Sequence, residues 1–206
     1  MARTTNKDIQ TAVVSIGRAD PDVARSAKLI GYPKARNRKP GFETLMGIVI
    51  GQQVSVAAGA SIRAKLASTV EPLTPEVFLS TSESKLRSAG LSGRKVEYGL
   101  GLAEAMANGK LGTRRLNRMD DEEAIAEITQ IRGLGRWSAE IYLMFALRRP
   151  DIWPAEDLAV AEALRRLKGL ENRPERTESE ALVESWRPFR SAGALFLWHF
   201  YQGAPT

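Results

Sequence analysis

The run from Ile128 to Val160, ITQIRGLGRWSAEIYLMFALRRPDIWPAEDLAV, constrains the fold more than any other part of the chain. Gly133-Leu134-Gly135 stands between two segments with apolar residues at helical spacing: Ile128 and Ile131 before it, Trp137 and Ile141 after it. Two glycines in three residues supply backbone angles that side chains forbid. The chain can therefore reverse in one tight corner and lay the flanking helices beside each other.

The rest of the sequence repeats the helical theme. Residues 7–31 carry two short helical patterns parted by Ala19-Asp20-Pro21, and Tyr32 to Pro40 is basic and loop-like. Phe42 to Gly51 is apolar enough for a buried helix, Gln52-Gln53-Val54-Ser55 interrupts it, and Ser55 to Val70 reads as another helix. Ser92 suits the N-cap of a helix that stops at Asn108-Gly109. Asp120 with Glu123 forms a capping-box pattern before the hairpin, and Thr177 with Glu180 repeats it later. Leu158, Ala161, Leu164 and Leu167 line a helix that Asp157 is placed to cap. No segment alternates as a half-buried strand does, so the expected class is all-α.

Composition narrows the chemistry. The 206 residues include 30 Lys+Arg against 24 Asp+Glu, a net charge of +6 that favours a polyanionic partner. The absence of cysteine excludes disulfides, a thiolate nucleophile, Cys-ligated zinc and an iron–sulfur cluster. The lone His199 lies in an apolar context and is expected to pack against the core, and no His cluster exists to hold a catalytic metal. No apolar run approaches the ~20 residues needed to span a bilayer. The start, MARTTNKDIQ, carries no apolar signal core. The expected location is cytoplasmic, nucleoid-associated in a bacterium, with no membrane partner.

The glycine turn has two readings. Successive N–H groups of Gly133, Leu134, Gly135 and Arg136 can point outward, and the positive end of the next helix faces the same way. Such a site takes a nucleic-acid phosphate without a lysine. The same turn is also what any helix–helix corner needs. Asp157 likewise is either an N-cap or a carboxylate poised beside a reaction, and the two roles are compatible because a helix N-terminus favours negative charge.

The wider pattern is more specific. IRGLGRWSAEIYLMFAL resembles the helix–hairpin–helix of the HhH-GPD superfamily of DNA base-excision glycosylases. With GQQVSV upstream, WPAEDLAV after it and SWRPFRSAGALFLWHF near the end, it is similar to the 3-methyladenine DNA glycosylase II (AlkA-type) branch, from about Phe42 to Tyr201. The chain is too short for that branch's N-terminal β-domain, so the resemblance implies its compact form. It implies two helical lobes, 1–41 with about 170–206 and about 42–169, the hairpin lying within about 120–147, and a DNA-binding cleft between the lobes.

The resemblance also implies roles. Asp157, 20 positions after Trp137, is the expected catalytic carboxylate, stabilising the positive charge that builds on the sugar as the glycosidic bond breaks. Trp137 stands where bifunctional members carry a Schiff-base lysine, which implies a monofunctional enzyme without lyase activity. Trp137, Trp186 and Tyr142 are the candidate pocket aromatics for a cationic alkylated base. Tyr142 falls one position from the family's tyrosine, which sits at Ile141 here, and a residue's step turns the side chain by about 100°. Gln52, Gln53 and Ser55 resemble the loop that enters the minor groove, with Gln53 as wedge; a polar helix junction capped by Ser55 is the plainer reading. Gly133, Leu134, Gly135 and Arg136 are the expected phosphate contacts. Main-chain carbonyls of Thr129, Ile131 and Leu134 are expected to hold a structural Na+ or K+, no cofactor being required. The expected function is therefore monofunctional excision of alkylated bases of the 3-methyladenine and 7-methylguanine class from double-stranded DNA, by a monomer. The alternative is a catalytically silent helix–hairpin–helix protein that binds bent or damaged DNA.

Overall fold

A computed structural model describes residues 3–203. Among them there is no strand. The helices are α1 (Asn6–Ala19), α2 (Pro21–Ile30), α3 (Phe42–Gly51), α4 (Val56–Thr69), α5 (Pro75–Ser80), α6 (Glu83–Ser88), α7 (Gly93–Ala107), α8 (Thr113–Leu116), α9 (Asp121–Thr129), α10 (Arg136–Phe145), α11 (Leu158–Lys168), α12 (Arg176–Leu182) and α13 (Arg190–Gly203), with a 3₁₀ turn at Glu184–Trp186. The all-α expectation therefore holds.

The chain divides into two compact units, Arg38–Tyr142 and the remainder on either side of it. This corrects the expected lobe boundary near residue 170, which falls instead between Tyr142 and Leu143, inside α10. The cause is the packing of α11. Its buried face, Val160, Leu164 and Leu167, lies against α13 and α2 rather than joining the central segment. No glycine or proline marks the change of unit, because a helix runs straight through it.

The unit Arg38–Tyr142 is built on α3, whose side chains Phe42, Leu45, Met46, Ile48, Val49 and Ile50 are all buried. Each such side chain contributes roughly 1.5–3 kcal/mol on leaving water. α7 packs on α3 and α5, and Gly99 lets it approach: a Cβ there would meet Phe78 Cζ at 2.7 Å and Met46 Sδ at 3.0 Å.

In the other unit α13 packs on α11, α1 and α2. Asp20 joins these elements. It caps α2 by accepting the Asp22 N–H at 3.1 Å, and it accepts the Lys168 Nζ at 2.7 Å from the end of α11. It also accepts the Trp186 Nε1–H at 2.7 Å. At 3% exposure, this carboxylate is tolerable only because all three donors reach it.

Capping matches the sequence pattern at one end and departs from it at the other. Asp120 and Glu123 form a complete capping box at the start of α9. At α12 the expected Thr177–Glu180 box is absent: the helix starts at Arg176 after Glu175, without a side-chain cap. Arg176, the first residue of the helix, pairs with Glu180 and with Glu156.

Candidate active site

Within Arg38–Tyr142, the hairpin and the loop before α4 form one assembly. Gly133 has φ +89°, and a Cβ there would lie 2.2 Å from Tyr98 Cγ on α7, so only glycine admits the ring. Gly135 has nothing within 4 Å of its virtual Cβ, leaving that side of the turn open to a ligand. Leu134 turns its side chain into the core, so any contact it makes with DNA is through its backbone. Its N–H donates to the Ile131 carbonyl at 3.0 Å.

Arg136 is not the free cation that a phosphate clamp needs. Its guanidinium is held by both oxygens of Glu122 and by Glu140 Oε1 at 3.0 Å. Bonding to Glu122, against the cost of burial, raises its pKa above the usual arginine value. The charge is spent inside the hairpin, and what remains for an anion is the N-terminal end of α10.

Gln52 is likewise committed internally: Nε2 donates to the Gly133 carbonyl at 2.8 Å and to Ser138 Oγ at 3.1 Å. It ties the loop to the hairpin rather than reaching outward, which corrects its expected role. Ser55 is the N-cap of α4, accepting the Ala58 N–H at 3.2 Å, in line with the plainer reading. Gln53 and Ser55 are both exposed, but Ser55 is committed to its cap, which leaves Gln53 as the wedge candidate; it holds φ +54°. A non-glycine residue in that region marks a backbone position imposed by its surroundings. Lys95 supplies part of the imposition, donating to the carbonyls of Ile50 at 2.8 Å and Gln52 at 3.0 Å, and its burial there lowers its pKa.

The candidate aromatics divide. Trp137 is half-buried in the first turn of α10. Tyr142 is fully buried, accepts the Gly41 N–H at 3.1 Å, and has its phenol pushed up to about 12 by that burial. It is a core residue, as its shifted helical position implies, and is withdrawn as a pocket residue.

In the other unit, Asp157 caps α11. Its Oδ1 accepts the N–H groups of Ala159 and Val160, each at 3.0 Å. A third donor, the indole Nε1–H of Trp198, reaches the same oxygen at 3.0 Å. Glu156, the neighbouring carboxylate, points away into a surface pair with Arg176 at 2.8 Å.

Trp186 was expected in the pocket, yet it is 1% exposed, edge-on to Trp153 at 5.9 Å and bonded to Asp20. Gly193 makes its space: a Cβ there would lie 2.3 Å from Trp186 Cε3. The aromatic beside the catalytic candidate is Trp198, which sequence reasoning passed over. Trp198 is half-buried, tilted against Phe145 at 5.8 Å, with the Arg36 guanidinium 5.9 Å above its ring. Its one signal in the sequence is its place on α13, two helical turns beyond Ser191 on the same face. His199 is half-buried, its Nε2 2.9 Å from the Ile30 carbonyl. Among the described residues no group of His, Asp and Glu could hold a metal.

The chain is similar to known proteins in sequence and fold. The profile described as HhH-GPD superfamily base excision DNA repair protein matches residues 46–188. A DNA-3-methyladenine glycosylase of Schizosaccharomyces pombe is 32% identical over 91% of this chain and 85% of its own length. The solved structure of a 3-methyladenine DNA glycosylase from that yeast, in complex with abasic DNA, superposes with TM-score 0.84 at 30% identity, covering 94% of this chain and 98% of the other. A DNA-3-methyladenine glycosidase from Bacillus halodurans superposes with TM-score 0.82 at 25% identity, covering 98% and 93%.

Proposed function

The chain belongs to the HhH-GPD superfamily of base excision DNA repair proteins, and from that premise we propose that it is a DNA glycosylase excising alkylated bases of the 3-methyladenine and 7-methylguanine class. Its relatives carry the names of 3-methyladenine glycosylases, and one is solved with abasic DNA, the product such an enzyme leaves. The observation that carries the reading is Asp157, whose Oδ1 is fixed by two helix amides and an indole N–H, all at 3.0 Å.

A carboxylate so fixed costs little to reorganise when positive charge develops nearby. As the bond between C1′ and the base nitrogen breaks, the electron pair leaves with the base and the sugar becomes oxocarbenium-like. Asp157 stabilises that charge and accepts a proton from the water whose oxygen bonds to C1′. Alkylation makes the purine cationic and a better leaving group. Trp137, half-buried at the start of α10, is proposed to contact such a base by its indole face. Tryptophan cannot form a Schiff base, so the reaction stops at the abasic site without strand cleavage.

The hairpin amides of Gly133, Gly135 and Arg136 are proposed to hold a DNA phosphate, the Leu134 N–H being given to the Ile131 carbonyl, with Gln53 as the minor-groove wedge. Carbonyls of Thr129, Ile131 and Leu134 are proposed to bind a structural Na+ or K+. The Ile131 oxygen already accepts the Leu134 N–H and keeps its second lone pair for the ion. The protein acts as a monomer on double-stranded DNA.

The test is release of methylated bases from alkylated duplex by the native protein and by Asp157→Asn. The native protein should release them and leave alkali-labile but unbroken strands, while the variant loses on the order of 10²–10³ in rate, as when a single preorganised electrostatic group is removed. No release by the native protein, with binding retained, would instead make this a silent hairpin protein. Equal release by both would remove Asp157 from the chemistry.

A further inference from the structure

The two segments proposed to touch DNA within Arg38–Tyr142 are joined by side chains that no role yet covers. Lys95 sits in the first turn of α7, where Ser92 Oγ accepts its N–H at 3.3 Å. A cation at that end opposes the helix dipole, and the turn holds no acidic residue to compensate. Lys95 serves a different helix. Its Nζ donates to the carbonyls of Ile50 and Gln52 at 2.8 and 3.0 Å, groups that the end of α3 leaves without helical partners. Gln52, whose backbone is thus held, sends Nε2 to the Gly133 carbonyl at 2.8 Å and to Ser138 Oγ at 3.1 Å. Tyr98, three residues on from Lys95 and so on the same face of α7, lays its ring against Gly133. One face of one helix therefore fixes the end of α3 through Lys95 and the glycine turn through Tyr98. Between the two held points stands Gln53, exposed and in a conformation it would not adopt unaided.

We propose that Lys95 is a positioning residue: with Gln52 it locks the loop before α4 to the hairpin, so that Gln53 is presented at a fixed distance from the phosphate-binding turn. This rests on the reading of the chain as a base-flipping glycosylase. The charge of Lys95 is consumed by the loop carbonyls, so it serves flipping without serving as a DNA contact. Freeing the loop leaves the phosphate grip intact and blunts the wedge.

The experiment pairs two readouts on native protein, Lys95→Met and Lys95→Arg. One is the affinity for undamaged duplex. The other is the fluorescence of 2-aminopurine placed next to a 7-methylguanine, with single-turnover release of that base. Lys95→Met should lower the flipping signal and the release rate by about tenfold, the loss expected for charge-assisted hydrogen bonds. Its affinity for undamaged duplex should stay within about twofold, because no phosphate contact is removed. Lys95→Arg, which keeps two donors, should recover most of the loss. If Lys95→Met does not fold, Gln52→Leu carries the same prediction from the other side of the clamp. Native signal with an unchanged Lys95→Met overturns the clamp alone. A fall in duplex affinity that parallels the fall in flipping also overturns it, making Lys95 an ordinary DNA contact. Absence of any release by the native protein overturns the glycosylase reading beneath it.

Discussion

Replacing Trp198 by phenylalanine tests one hydrogen bond at the proposed reaction centre. An aromatic ring remains beside Phe145 and Arg36, which stand 5.8 and 5.9 Å from the indole. The Nε1–H donor to Asp157 Oδ1, at 3.0 Å, disappears together with part of the fused ring. A hydrogen bond to a charged group is worth about 1.5–3 kcal/mol, which is roughly 10–100-fold in rate if the whole of it is felt in the transition state. The amides of Ala159 and Val160 still hold the same oxygen, so the expected loss is at the low end, about tenfold. The loss should fall on kcat, with KM within about twofold, because the bond orients the carboxylate and does not bind DNA. Single-turnover release of 7-methylguanine with enzyme in excess measures it directly. In the Asp157→Asn background the same substitution should cost almost nothing further, since a pair acting as one unit is non-additive. An undiminished rate in Trp198→Phe, or a full tenfold loss in both backgrounds, would refute the claim that Trp198 acts through Asp157.

Further expectations concern the cluster of Asp20, Asp22, Lys168 and Trp186. Lys168→Met strands a carboxylate that is 3% exposed, and should destabilise the protein by about 3–5 kcal/mol in chemical denaturation. The pH dependence has a definite sign. Asp22 is held below the usual carboxylate range by its bond to Lys168, so its contribution is present above pH ~4 and lost as pH falls through the lowered value. Burial opposes the charge on Lys168, but Asp20 and Asp22 more than offset it and raise the pKa, so that contribution is complete below pH ~10 and lost as pH rises beyond it. Native denaturation curves should show both flanks, and Lys168→Met should flatten them. Trp186→Phe removes another donor to Asp20 and should cost about 2–4 kcal/mol, measured as a lowered melting temperature, while the relative rates on different alkylated bases stay as they are. A changed base preference would return Trp186 to the pocket.

What the sequence made legible was what depends on neighbours a few residues away. Asp157 as an N-cap, the Asp120–Glu123 box and the glycine corner all follow from contacts within three or four positions. The fate of the large aromatics does not. Trp186 and Trp198 lie in one stretch, twelve residues apart, and nothing local tells which is core. Gly193 decides it, because the space it leaves is filled by Trp186, and Trp198 then falls on the side of α13 that reaches Asp157. The unit boundary inside α10 was hidden for a related reason. It is set by where α11 finds a partner, through Lys168 and Asp20, 148 positions apart.

The polar residues nearest the hairpin show a further limit, and it bears on how DNA is gripped. Arg136, Gln52 and Ser55 have the side chains that a DNA contact would use, and each is spent on an internal partner. Leu134 is turned inward. The turn therefore presents backbone N–H groups and the positive end of α10, with Gly135 leaving room for approach. Such a surface reads a phosphate and carries no information about bases. Internal ion pairs beside it, Arg136 with Glu122 and Glu140, keep that charge within the hairpin and out of the grip. On the proposed reading, a repair enzyme that grips phosphate alone binds every sequence alike, and selection of the damaged base falls to the proposed wedge at Gln53, through how easily a base leaves the stack, and to the proposed catalytic Asp157.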